Sequence, residues 1–97
     1  MFVAINRLRV PTEYAGRLEE GFTRSAPGMD GVSGFVSFDL LKAESNGEYV
    51  VVTRWQDRDA FDAWRRGDAF QRSHGGANPN SPVTSELSTY TIVLSRP

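Results

Sequence analysis

The chain has 97 residues, a formal charge of -1 and ordinary hydrophobic and charged fractions. That is one domain's worth of sequence, read as a single unit over 1–97, with no charge excess to draw it to nucleic acid or to an anionic membrane. It has no cysteine, which excludes disulfides, thiolate nucleophiles, iron–sulfur clusters and cysteine zinc sites. No segment has the length of a membrane-spanning helix, and the N-terminus lacks a basic stretch before its short apolar run. The cytoplasm is the expected location.

In chain order, Phe2 to Val10 alternates with period two. Phe2, Ala4, Asn6, Leu8 and Val10 share one face, so this strand carries an amide in its more apolar stripe. Pro11 ends it, and Thr12 is the expected N-cap of a helix whose Tyr14, Leu18 and Phe22 recur at i+4 steps. Pro27-Gly28 closes that helix. A second strand is expected over 32–42, with Val32, Val36, Phe38 and Leu40 on one face and Phe35 and Leu41 on the other. Asn46-Gly47 signals a hairpin into a third strand, Tyr49 to Trp55, whose Val50-Val51-Val52 centre is apolar on both faces. Asp57 is placed to cap a second helix with Ala60, Phe61 and Trp64 on one side. After Gly67, Asp68 opens a short helix to His74, with Phe70 and His74 on one face. A polar loop from Gly75 to Pro82 leads to a last strand over 84–94.

The order β-α-β-β-α-β is that of the ferredoxin-like fold, an α+β architecture with a four-stranded antiparallel sheet and helices on one face. Apolar residues on the second face call for a covering partner. A second copy of the sheet, giving a homodimer that closes into a β-barrel, is the expectation.

Few side chains invite chemistry. Asn6, inside a strand, is either solvated, bonded to a neighbouring loop, or held in a cavity where its amide serves a ligand. His74, the only histidine, is either an exposed residue at a helix end or the imidazole ligand of a haem iron. It cannot by itself make a zinc-type or two-histidine iron site. Trp64 reads as core packing or as the wall of a site; Phe22, Tyr14 and Phe70 read as core or as the lining of a planar apolar pocket. Arg24 is either solvated or paired with a carboxylate such as a haem propionate.

Taken together, Asn6-Arg7-Leu8, Thr53-Arg54-Trp55, Ala60-Phe61-Asp62-Ala63-Trp64, and Phe70 with His74 resemble the antibiotic biosynthesis monooxygenase superfamily. Within it they are similar to the Isd-type haem-degrading monooxygenases. The T-x-W and A-F-x-x-W parts are common to the superfamily; the Asn–Trp–His set is the more specific. The resemblance implies a dimeric α+β barrel in which haem is both cofactor and substrate. By that resemblance His74 is the proximal iron ligand, Asn6 contacts the distal ligand, and Trp64 presses on the macrocycle. Phe22, Arg24 and Phe70 are the further haem contacts expected. Oxygen and electrons from an external reductase or small reductant open the ring, releasing iron and a linear tetrapyrrole. The first-helix basic residues that approach the propionates in this family have only Arg24 as their counterpart here; Gly21 and Ser25 stand where a second would be welcome. The alternatives are a cofactor-free monooxygenase acting on an aromatic polyketide and a non-enzymatic haem-binding dimer.

Overall fold

The computed structural model describes residues 1–45, 47–67 and 83–97. Asn46, the expected short helix over 68–74 with Phe70 and His74, and the loop over 75–82 lie outside them. The described elements are strand β1 (Phe2–Arg9), helix α1 (Ala15–Ser25), strands β2 (Phe35–Lys42) and β3 (Glu48–Trp55), helix α2 (Arg58–Arg66) and strand β4 (Thr84–Thr91). The four strands form one antiparallel sheet in the order β2-β3-β1-β4, the ferredoxin-like arrangement.

Register decides which residues share a face. Ala4 lies opposite Thr53 and Thr89, and Asn6 opposite Val51 and Leu87. These point to the helices. One core cluster gathers Phe2, Ala4, Met29, Trp55 and Phe61; a second gathers Leu8, Val10, Tyr49 and Val51, with Leu18, Phe22 and Phe38 packed on it. Trp55, with 0% of its surface exposed, is the centre of the first. Phe35 and Phe61 meet it edge-on, at 5.6 and 5.7 Å between ring centroids. Its indole N–H donates to the Thr53 hydroxyl at 2.9 Å, and that hydroxyl reaches the Ala4 carbonyl on β1 at 3.5 Å. The spacing T-x-W is therefore a packing device: residues two apart on a strand share a face, so threonine can satisfy the buried indole beside it.

Several local readings change, the last strand among them, which ends at Thr91 rather than Leu94. Thr12 is not an N-cap: Thr12–Tyr14 forms a 3-10 turn entered from Pro11 with no side-chain cap, and α1 begins at Ala15. The second strand starts at Phe35 rather than Val32, because Gly31 and Gly34 hold positive φ (84° and 78°) just before it. A bulge between Phe35 and Ser37 then puts Phe35 and Phe38 together on the helix side and leaves Val36 exposed, reversing the expected faces of Phe35 and Val36. Gly34 is confined by space as well as by φ, since a Cβ there would lie 2.4 Å from Ala60 Cβ on α2. Asp57 does cap α2, its Oδ1 accepting from the Ala60 N–H at 2.9 Å.

The other sheet face carries Val3, Ile5, Val50, Val52, Leu41 and Tyr90, with Leu41 and Tyr90 50% and 53% exposed. Both described helices pack on the opposite side.

Candidate active site

Between the helix face of the sheet and the two helices lies a cavity of about 190 Å³. The sheet forms its floor, with Asn6, Val51 and Leu87 side by side across three strands. Phe22 and Met29 close it from α1 and the turn after it, Phe38 from β2, and Phe61 and Trp64 from α2. Trp64 faces two ways: its ring lies 5.3 Å from that of Trp55 in the core, and it also lines the cavity.

Asn6 is a polar group on the floor of this mainly apolar chamber. Its Oδ1 is buried and, among the described residues, accepts no hydrogen bond. A buried amide left this way costs about 1–3 kcal/mol. Alternation along β1 forces the side chain inward between Ala4 and Leu8, both buried. Such an amide, offering a donor and an acceptor in a water-poor chamber, is what a bound polar atom would meet.

The cavity unites Asn6, Trp64 and Phe22, three of the residues that the sequence singled out. Tyr14 packs instead on the Leu8–Tyr49 cluster. Arg24 is exposed in the last turn of α1 and is not part of the lining, whereas Arg65 is. Arg65 escaped notice because it reads as one of two basic residues in a helix's last turn. The available signal was its spacing, four residues after Phe61 and therefore on the same helix face. His74 and Phe70 lie outside the described residues.

Behind the site, a polar clamp holds α1 to the sheet. Tyr49 is 1% exposed, and its hydroxyl donates to the Glu19 carboxylate, which also lies 3.6 Å from Lys42 Nζ. The hydroxyl bond holds the Glu19 carboxyl below its usual range and, with burial, pushes the Tyr49 phenol above its own.

No described helix is long and apolar enough to cross a membrane. Among the described residues there is also no group of three or more histidine, cysteine, aspartate or glutamate side chains suited to a metal ion.

The chain belongs to the antibiotic biosynthesis monooxygenase family, whose model matches residues 1–76. It is 35% identical over 94 residues to the mycobilin-producing haem oxygenase of Mycobacterium tuberculosis, an alignment covering 95% of this chain and 89% of that protein. It superposes with a TM-score of 0.81 and 32% identity on the haem degrader MhuD from the same organism, solved with two haems bound in its active site; all of both chains is covered. SnoaB, a cofactor-independent oxygenase from Streptomyces nogalater, superposes with a TM-score of 0.82 at 26% identity, covering 99% of this chain and 96% of that one.

Proposed function

We propose that this protein is a haem-degrading monooxygenase that takes haem as both cofactor and substrate, opens the porphyrin with dioxygen and external electrons, and releases iron and a linear tetrapyrrole. The observation that carries the reading is Asn6: an amide oxygen without a partner among the described residues, in an aromatic-lined chamber of a chain similar to haem oxygenases. The residues present fit the group. Phe22, Phe38, Phe61 and Trp64 offer apolar surface to a flat macrocycle, and Asn6 offers the one side-chain amide among the described lining residues.

Haem, when bound, supplies the iron that activates dioxygen next to a meso carbon. The chain's own residues do the rest. Asn6 would present a preorganised hydrogen-bond partner to a polar atom of the bound molecule, worth on the order of 10²–10³ in rate for a donor placed where charge develops. Trp64, backed by Trp55, would stand as a wall against the bound ring. His74, the only histidine in the sequence, would be the residue to hold the iron. The two-sided apolar sheet supports a homodimer, and the electron donor is an external reductase or a small reductant.

Haemin titration of the purified protein tests this. A Soret band that decays when ascorbate is added is the expected result, with the band displaced and affinity reduced in His74→Ala. A protein that gives no Soret band but consumes dioxygen with an aromatic substrate would instead be a cofactor-free oxygenase, the reading that the similarity to SnoaB supports.

A further inference from the structure

Among the described residues lining the cavity, Arg65 is the one with a charged side chain. It both lines the cavity and is exposed, so it stands at the margin between chamber and solvent. Its position on α2 explains this. Phe61, Trp64 and Arg65 fall at i, i+3 and i+4, a helix face that turns inward: Phe61 is buried and Trp64 half-buried. An inward-turning face ordinarily continues with an apolar residue, and here it continues with a guanidinium.

The helix end alone does not account for that. Arg65 and Arg66 share the last turn of α2 and the same favourable interaction with its C-terminal carbonyls, yet only Arg65 is on the cavity. Nor is Arg65 occupied elsewhere among the described residues. Arg7 lies against Glu48, Lys42 against Glu19, and Arg58 against Asp62, while no described carboxylate lies within ion-pair distance of Arg65. A planar fork with five N–H donors at the rim of an apolar chamber is suited to a carboxylate attached to an apolar body.

We propose that Arg65 is the specificity-determining residue of this cavity, its guanidinium pairing with a peripheral carboxylate of the bound molecule. The site thereby selects an apolar macrocycle that carries carboxylates over a neutral analogue. The proposal rests on the haem reading above and assigns to α2 the anion-recognising role for which the sequence offered Arg24 on α1.

The test compares haemin with haemin dimethyl ester, which keeps the iron and ring but lacks free carboxylates. Dissociation constants are read from the Soret band and from quenching of tryptophan emission. Wild-type protein is expected to bind haemin about tenfold more tightly than the ester, as for a solvent-accessible charge-assisted hydrogen bond. Arg65→Ala and Arg65→Gln are expected to erase most of that gap by weakening haemin and sparing the ester, and Arg65→Glu to make haemin the weaker ligand. Arg66→Ala, which alters a cation off the cavity, should keep the wild-type gap. On the unmodified protein, haemin affinity should fall with added salt while ester affinity does not. If haemin binds but the gap survives in both neutral Arg65 variants, or wild type binds the two probes alike, the assignment to Arg65 is wrong and the haem reading stands. If wild type forms no haemin complex, both fall.

Discussion

Replacing Asn6 by leucine should move stability and activity in opposite directions. The two side chains are close in size, so Asn6→Leu exchanges a buried amide for apolar surface without overfilling the stripe between Ala4 and Leu8. In the folded protein Oδ1 has given up its water and, among the described residues, gained nothing in return. Relief of such a group is worth about 1–3 kcal/mol. The residue as a whole is half-buried and borders the cavity, so part of the amide is still hydrated and the lower end applies, about 1 kcal/mol. For a domain of this size that raises the thermal midpoint by about 4–8 °C. The assay is urea unfolding of haem-free protein followed by tryptophan emission, with the midpoint expected to rise at unchanged m-value. Under the proposed function the same variant still gives a haemin complex but loses turnover by about 10²–10³. A clear loss of stability in Asn6→Leu would refute the reasoning, because it would mean that the amide makes a structural hydrogen bond. Wild-type turnover in the variant would remove Asn6 from the mechanism.

Gly34→Ala should be destabilised by about 2–5 kcal/mol, from a positive φ and a Cβ driven into Ala60, measured by denaturant unfolding; a neutral result would show that α2 can shift away. Tyr49→Phe should flatten both ends of the stability–pH profile. Glu19 titrates below its unfolded value, so its contribution is present above the ordinary carboxyl range and is lost as pH falls; Tyr49 titrates above its unfolded value, so its contribution holds at neutral pH and is lost in strong alkali. Superimposable profiles for wild type and variant would show that the clamp contributes nothing in solution. Trp64→Phe should cost about 0.5–1.5 kcal/mol through its contact with Trp55, retain haemin binding and slow ring opening; outright unfolding in circular dichroism would make Trp64 a core residue first.

The strands that obey simple alternation were legible from residues alone. β1 has a strict period of two, and from it Asn6 could be put on the more apolar face before any tertiary information. Asp57, three residues before Ala60, announced α2 by its capping chemistry. The start of β2 was not legible in the same way. A Val-x-x-Phe-Val-x-Phe run reads as one strand, and only the positive φ of Gly31 and Gly34 and the bulge after Phe35 show where pairing begins. Thr12 has a capping side chain, but Pro11 fixes the chain so that a 3-10 turn comes first. At the site, residues embedded in apolar patterns were found, and the boundary residue was not. Arg24 and Arg65 each sit in the last turn of a helix, and which of them borders the cavity depends on how each helix is rotated against the sheet, a tertiary quantity.

The cavity wall is of two kinds. Ala4, Thr53, Phe61 and Trp64 belong to the same packed unit as Trp55, so changing them costs stability. Ser85, Leu87 and Arg65 line the same space from exposed positions, the first two on edge strand β4. Substitutions at these three sites redraw the chamber at little thermodynamic risk. A laboratory selection for a new ligand should therefore accumulate its early mutations along β4 and the end of α2, leaving the tryptophan-centred wall untouched.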